Sequence, residues 1–206
     1  MSSYMPKLKK DKFVLGITGS IACGKSTVAS MFRGRDSLLI NADQLGHKLL
    51  VTGSSAYKKV IRAFGRAILD PGNSINRVKL SKIVFADRRA LTRLNRITHP
   101  ELLGLIKQRI RSTKKRRVIL DAPLIVESGL VPLMDALVVV TATRQEQIRR
   151  ARQSLGLSAR QIKQRIKSQI SQKAKTRFAD FIIDNSGSIS KTKEQVSKIR
   201  RQLWKS

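Results

Sequence analysis

Gly19-Ser20-Ile21-Ala22-Cys23-Gly24-Lys25-Ser26 is the stretch that decides the fold, because it matches the phosphate-binding loop pattern of two glycines followed by Lys and Ser. The apolar residues 13–18 precede it, and a helical pattern follows it as far as Phe32. In such a loop the backbone N–H groups and the helix N-terminus face anionic phosphate. The stretch therefore predicts a nucleotide-binding site between a strand and a helix.

The loop predicts contacts with both ATP and Mg²⁺. Lys25 would reach the β- and γ-phosphates, and the Ser26 hydroxyl would hold Mg²⁺. The candidate nucleotide-binding residues are Gly19, Ala22, Cys23, Gly24, Lys25, Ser26 and Thr27. Because Cys23 lies beside a helix N-terminus, we also expect an acidified thiol that is readily alkylated. The alternative is that Cys23 is an inert small residue.

Short apolar runs separated by amphipathic helical patterns predict an α/β fold, with a parallel five-stranded sheet flanked by helices. The runs are residues 13–18, 38–41, 118–121, 136–141 and 181–184. Each ends in a polar or small residue, as expected where ligands gather outside the carboxyl edge of such a sheet. Together with the loop, this pattern favours the fold of the P-loop nucleoside and nucleotide kinases.

Two helical insertions interrupt the α/β pattern. The first, between the second and third runs, has apolar residues at helical spacing and is expected to form a lobe. Asp70-Pro71-Gly72-Asn73 predicts a turn within it, and Pro100 is expected at the first position of a helix. The second insertion follows the fourth run, is rich in arginine and is expected to form a basic lid.

Three aspartates follow directly on apolar runs, so all three can lie at the sheet edge that carries the loop. Asp43 is a candidate base or orienting group for an acceptor hydroxyl, the alternative being a helix N-cap. Asp121 resembles the second nucleotide-binding motif, whose Asp supports Mg²⁺, the alternative being a turn former at a strand end. Asp184 and Asn185 are expected to shape a loop near the adenine or to be purely structural.

The charge balance is the outlier of the composition: 43 Lys and Arg against 13 Asp and Glu give a formal net charge of +30. Such a charge attracts nucleic acid, anionic membrane or polyphosphate substrates. The basic residues are spread along the chain, with the densest cluster at residues 114–117, which favours a solvated basic surface. Aromatic residues make up only 4%, too few for an obvious base-stacking platform. Nucleic acid and membrane are therefore the less favoured partners.

The chain is expected to be a soluble cytoplasmic protein. A single cysteine excludes an internal disulfide and suits a reducing compartment. No stretch approaches the ~18 uninterrupted apolar residues of a spanning helix. The basic start followed by residues 13–22 superficially resembles a signal peptide, but its glycines and its continuation into the loop favour a strand.

Beyond the loop, an ordered series of segments resembles the dephospho-CoA kinases. The segments are Gly16-Ile17-Thr18-Gly19, Ile40-Asn41-Ala42-Asp43, Phe64-Gly65, Asn76-Arg77, Val84-Phe85, His99-Pro100, residues 121–127 and residues 179–185. The resemblance implies phosphorylation of the ribose 3′-hydroxyl of dephospho-CoA by ATP, the last step of coenzyme A biosynthesis. It covers nearly the whole chain from residue 13 onward.

The resemblance also implies a division of one domain into three parts. An ATP-binding core, a helical CoA-binding lobe and a lid are expected, preceded by a basic N-terminal extension. The implied ranges are 13–43, 113–144 and 178–206 for the core, 44–112 for the lobe, 145–177 for the lid and 1–12 for the extension.

The family's functional residues can be placed position by position. Asp43 matches the carboxylate that activates the acceptor hydroxyl, Lys25 and Ser26 match the ATP and metal ligands, and Asp121 is the implied further metal ligand. Arg150 matches a lid arginine that clamps phosphates. The catalytic set implied is Asp43, Lys25 and Arg150.

Arg77 and His99 are the further residues that the resemblance suggests for acceptor binding, with a buried or helix-capping histidine as the alternative for His99. The chain departs from the family pattern at two positions. Asn41 stands where the family often has Asp, so Asp43 is the lone carboxylate of its motif. Ser154 stands where a second Arg is frequent, and Arg149 or Arg152 are the candidate substitutes. Gln169 and Lys173 occupy positions that the family keeps polar and receive no predicted role.

Two other functions stay open. The loop and the strands would serve any P-loop kinase for a nucleoside, a nucleotide or shikimate, and only the first insertion favours dephospho-CoA. A basic RNA-associated P-loop protein is the less favoured alternative. No oligomeric state is predicted.

Overall fold

The computed structural model describes residues 11–156, 158–167 and 169–204. The basic N-terminal extension predicted at residues 1–12 therefore lies, apart from its last two residues, outside the described part of the chain. The described residues divide into two compact units, one of residues 42–109 and one formed by the remainder of the chain. The predicted boundaries of lobe, lid and core stay predictions.

The larger unit is built on a five-stranded sheet with the strand order β2-β3-β1-β4-β5. The strands are β1 (Phe13–Gly19), β2 (Ser37–Asn41), β3 (Arg117–Asp121), β4 (Ala136–Thr141) and β5 (Phe181–Asp184). Every neighbouring pair is parallel. The predicted parallel α/β fold is confirmed, and each apolar run forms a strand.

Five α-helices of the described chain lie entirely in this unit. The first, α1 (Lys25–Met31), follows β1. The others are α6 (Arg144–Leu155), α7 (Ala159–Lys167), α8 (Gln172–Thr176) and α9 (Ile189–Leu203). The core forms where β1 and β4 pack against α1 and α9. Its buried residues include Leu15, Ile17, Val28, Phe32, Val138, Val140, Val196 and Ile199. Because β1 is central and β3 and β4 flank it, the loop after β1 emerges where the strand order reverses, the usual place for a ligand in such sheets.

The unit of residues 42–109 is helical and has its own hydrophobic core. It contains α2 (Ala42–Leu49), α3 (Ser55–Phe64), α4 (Arg77–Ala86) and most of α5 (Arg88–Ser112). Its buried residues are Tyr57, Val60, Ile68, Ile75, Leu80 and Val84. The predicted turn at residues 70–73 is confirmed, since the Asn73 N–H donates to the Asp70 carbonyl over 2.9 Å. Asn76 is the N-cap of α4, and its side chain accepts a hydrogen bond from the Lys79 N–H.

The predicted helix start at Pro100 is wrong. Pro100 lies inside α5, which runs without a break from Arg88 to Ser112. Proline supplies no N–H, so the Arg96 carbonyl lacks its usual i+4 donor in this helix. The apolar residues on both sides of Pro100 continue the helical spacing, and Leu91, Leu94 and Ile97 pack on the core of the unit. This tertiary packing outweighs the local preference of proline for the first turn.

Candidate active site

The phosphate-binding loop between β1 and α1 has two residues in the left-handed backbone region, Ala22 with φ 55° and Gly24 with φ 88°. A Cβ atom on Gly24 would lie 2.1 Å from Nδ2 of Asn185. A Cβ atom on Gly19 would lie 2.5 Å from the Cys23 sulfur. Glycine is therefore required at both positions, by backbone conformation at Gly24 and by close approach at both.

Lys25, Asp121 and Asn41 lie together at the carboxyl edge of the sheet. The Lys25 Nζ is 3.8 Å from Oδ1 of Asp121, whose side chain is buried. Asn41 pairs with Asp121 across β2 and β3, and its Nδ2 donates to Asp121 Oδ2 over 3.0 Å. At this position an amide supports the carboxylate, whereas an aspartate would place a second negative charge beside it.

Arg150, predicted in the lid, lies at the loop. Its guanidinium donates to the Asn185 carbonyl over 2.8 Å and to the Cys23 carbonyl over 3.5 Å. Glu146 holds the same guanidinium from one helical turn away, with Oε2 at 3.1 Å from Nε. Ser154, which stands where the family often has Arg, donates instead to the Arg150 carbonyl. The structure thus brings Arg150 to the phosphate-binding loop.

Asn185 contacts the loop directly. Its Nδ2 donates to the Cys23 carbonyl over 2.8 Å, and its Oδ1 accepts from the Thr192 hydroxyl over 2.8 Å. Asp184 instead caps its own turn, accepting from the Ser186 N–H and hydroxyl. Sequence reasoning placed Asn185 near the site but did not foresee that it fixes the loop backbone.

Two residues at the site were missed as functional candidates. Gln169, given no role, accepts a hydrogen bond from the Ile21 N–H of the loop over 3.1 Å. Lys175 is fully buried and forms an ion pair with Glu127, with 2.9 Å between Nζ and Oε1. The polar position of Gln169 was a usable signal. Nothing local distinguishes Lys175 from the other basic residues of the chain.

The expected acidification of the Cys23 thiol is wrong. Cys23 is fully buried in the hydrophobic core of the sheet unit. Burial raises the pKa of the thiol, because a thiolate would lose its hydration. The Lys25 backbone N–H and the charges of Lys25 and Lys175 lower the pKa, but less than burial raises it.

Iodoacetamide is therefore expected to label native Cys23 much more slowly than the unfolded chain. As Cys23 is the single cysteine, the labelled fraction reports on it alone. Stability should also fall as pH rises above the ordinary thiol pKa of 9.0, because the unfolded chain then releases a proton that the folded chain retains. Equal labelling rates with and without urea, or faster labelling of the native protein, would contradict the assignment.

Asp43, Arg77 and His99 belong to the helical unit. Asp43 is exposed and is the second residue of α2, which begins directly where β2 ends. Arg77 is the exposed first residue of α4. His99 lies in α5, and partial burial lowers its pKa, so it is neutral at physiological pH. The roles predicted for these three residues stay predictions.

The residues present fit a magnesium ion held jointly with phosphate. Among the described residues no group of three or more His, Cys, Asp or Glu side chains could hold a metal by itself. Mg²⁺ in phosphoryl-transfer sites is commonly bound through one or two protein oxygens together with substrate phosphates. Ser26, exposed at the start of α1, and Asp121, paired with Lys25, offer oxygens of this kind.

Comparison with known proteins shows the family of the chain. A family model described as CoaE, Dephospho-CoA kinase, matches residues 13–191. The chain belongs to the dephospho-CoA kinase family. It is 40% identical over 195 residues to a dephospho-CoA kinase of Carboxydothermus hydrogenoformans, covering 93% of this chain and 94% of the relative. It is 40% identical over 190 residues to one of Aquifex aeolicus, covering 92% and 96%.

Solved structures support the same assignment. The dephospho-CoA kinase of Campylobacter jejuni superposes with a TM-score of 0.66 at 29% identity, covering 93% of this chain and 97% of that one. A shikimate kinase of Bacteroides thetaiotaomicron reaches a TM-score of 0.55 at 11% identity, covering 93% and 98%, and so shares the fold alone. The predicted family and fold are confirmed. As a member of a kinase family the chain uses ATP and a small-molecule substrate.

None of the described helices has the length and the apolar character of a membrane span. The expected cytoplasmic location stays a prediction.

Proposed function

We propose that this chain transfers the γ-phosphate of Mg·ATP to the ribose 3′-hydroxyl of dephospho-CoA, giving coenzyme A and ADP. The observation that carries the proposal is the phosphate-binding loop with Lys25 beside Asp121, in a chain that matches the dephospho-CoA kinase family over residues 13–191.

The loop binds and orients the triphosphate. Its backbone N–H groups face the phosphates, and Lys25 contacts the β- and γ-phosphates. The Ser26 hydroxyl and the Asp121 carboxylate would hold Mg²⁺, which would neutralise charge on the transferring phosphoryl group. Asn41 supports this arrangement by its hydrogen bond to Asp121.

Arg150 stabilises the charge that develops on the phosphoryl oxygens. The guanidinium contacts the Cys23 carbonyl of the loop, and its contacts with Glu146 and the Asn185 carbonyl hold it there, which supports this role. A guanidinium held in place before the reaction needs little reorganisation in the transition state, which is what makes such electrostatic stabilisation effective.

Asp43 orients the acceptor 3′-hydroxyl and accepts its proton. The bond from the γ-phosphorus to the bridging oxygen of ATP breaks, a bond to the ribose oxygen forms, and ADP leaves. Arg77 supplies a positive charge for the phosphates of dephospho-CoA, and neutral His99 supplies a hydrogen-bonding group for the acceptor. These contacts rest on the positions of the residues in the family pattern.

The test is an acceptor panel. Purified protein is incubated with ATP, Mg²⁺ and dephospho-CoA, adenosine, nucleoside monophosphates or shikimate, and products are identified by mass spectrometry. We expect coenzyme A as the phosphorylated product, and none from a Lys25→Met control. Turnover of another acceptor with no coenzyme A formed would replace dephospho-CoA as the substrate and favour another small-molecule kinase.

A further inference from the structure

A buried ion pair lies beside the phosphate-binding loop. Lys175 of α8 is 0% exposed, and its Nζ is 2.9 Å from Oε1 of Glu127. It also donates a hydrogen bond to the Pro123 carbonyl. Lysine is almost never fully buried unless its charge is paired, because removing the charge from water costs free energy. The groups that Lys175 contacts therefore indicate which parts of the site the buried side chain stabilises.

Lys175 joins the end of β1 to the segment that follows Asp121. The Pro123 carbonyl, which it contacts, also accepts a hydrogen bond from the Thr18 hydroxyl over 3.1 Å. Thr18 is fully buried and directly precedes Gly19, the first residue of the loop. One carbonyl thus links α8, the end of β1 and the turn after β3.

The residues just before α8 hold the same parts from a second direction. Gln169 accepts from the Ile21 N–H within the loop, and the Ile170 N–H donates to Glu127 Oε1 over 3.3 Å. Glu127 Oε1 therefore serves both Ile170 and Lys175. Residues 169–175 are therefore hydrogen-bonded to the loop at Ile21 and bonded to the segment after Asp121 at Glu127.

The charge of Lys175 also acts on the loop. It is one of the two lysine charges that favour a Cys23 thiolate and so lower the pKa of Cys23, Lys25 being the other. The influence of Lys175 therefore extends to Cys23 of the loop, in addition to its contacts with Pro123 and Glu127.

We propose that Lys175 is a positioning residue for Mg·ATP, holding the loop and the turn after Asp121 in register through its contacts with Pro123 and Glu127. The proposal rests on the use of ATP by this kinase and is independent of the acceptor.

The test separates this role from a purely structural ion pair. Lys175→Met alone leaves the Glu127 carboxylate without its cation and should lower the unfolding temperature. Lys175→Met combined with Glu127→Gln removes both charges and should recover most of that loss. In both variants we expect the Kd for Mg·ATP, measured calorimetrically without acceptor, to rise about tenfold, the lower range for residues that orient a ligand-binding group. Lys173→Met, at an exposed lysine of the same helix, should bind as the wild type does.

Wild-type Mg·ATP affinity in a stable double variant would overturn the proposal. If the double variant does not fold, Glu127→Gln decides, because it removes the charged partner of Lys175 on the turn after Asp121 and leaves the Pro123 carbonyl in place. A weaker affinity for Mg·ATP in folded Glu127→Gln supports the positioning role, and an unchanged affinity contradicts it. These measurements contain no acceptor. They therefore test the role of Lys175 even if dephospho-CoA is not the substrate.

Discussion

Gly24→Ala is expected to lower kcat/KM by at least about 10²-fold, the loss that a misplacement of about 1 Å in a catalytic arrangement can cause. The added Cβ would lie 2.1 Å from Nδ2 of Asn185, far inside van der Waals contact. Asn185 cannot swing away freely, because its side chain holds the Cys23 carbonyl and the Thr192 hydroxyl. The φ of 88° adds backbone strain, of about 1–3 kcal/mol for a residue with a Cβ.

The measurement is steady-state kinetics together with calorimetric titration of Mg·ATP. The loss should lie mainly in nucleotide affinity, since the loop backbone rather than the acceptor site is displaced. Gly104→Ala is a matched control, because Gly104 lies in α5 with nothing within 4 Å of an added Cβ. It should keep wild-type kinetics. Wild-type affinity for Mg·ATP in the Gly24→Ala variant would show that the loop relaxes around the new methyl group.

The sheet could be predicted because its signals are local. Runs such as residues 136–141 and 181–184 are apolar, short and bounded by polar residues, and they form β4 and β5 with those limits. Parallel strands buried on both faces need such runs, and β4 is such a strand, whereas β5 lies at the sheet edge and buries only Ile183. The prediction of a helix start at Pro100 was wrong because it used only the local preference of proline. The continuity of α5 depends also on tertiary packing, including that of Leu91, Leu94 and Ile97.

The chemistry of the site could be predicted only where it follows from the loop motif. For Cys23, proximity to a helix N-terminus is visible in the sequence, but burial, which raises the pKa, depends on strands far along the chain. The contact of Lys175 with Pro123 and Glu127 spans 52 and 48 residues, so no periodicity reveals it. The same is true of Gln169, which reaches Ile21 across 148 residues.

The effect of Asn41 on the site could be described only from the structure. From the sequence, its only consequence was that Asp43 became the lone carboxylate of its motif. In the structure its amide donates to Asp121, which also faces Lys25. The Asp121 carboxylate therefore has an amide donor at Oδ2 and a lysine ammonium 3.8 Å from Oδ1. The different roles that we propose for Asp43 and Asp121 are consistent with this difference in surroundings, since Asp43 is exposed and Asp121 is buried.

Asp121→Asn is the comparison that separates the two roles. Asp121 is buried beside the loop lysine, so its loss should raise the Mg²⁺ concentration needed for half-maximal rate. Asp43 is exposed at the start of α2, one residue beyond Ala42 and outside the phosphate-binding loop, so its loss should leave the Mg²⁺ requirement near that of the wild type.

Asp43→Asn is expected to lower kcat by roughly 10²–10⁴, the range for a positioned general base, with the Kd for Mg·ATP nearly unchanged. Asn keeps the shape and polarity of the side chain and removes the carboxylate that accepts the proton. The loss should be incomplete, because a loose phosphoryl-transfer transition state needs little proton transfer and Asn can still orient the hydroxyl.

Asp87→Asn, at an exposed carboxylate of the same helical unit, is the control and should retain wild-type kcat. If Asp43 serves only the start of α2, its substitution should lower the free energy of unfolding by about 0.3–1 kcal/mol and leave kcat intact. That pair of results, or an equal loss of ATP binding and turnover, would remove Asp43 from the catalytic set.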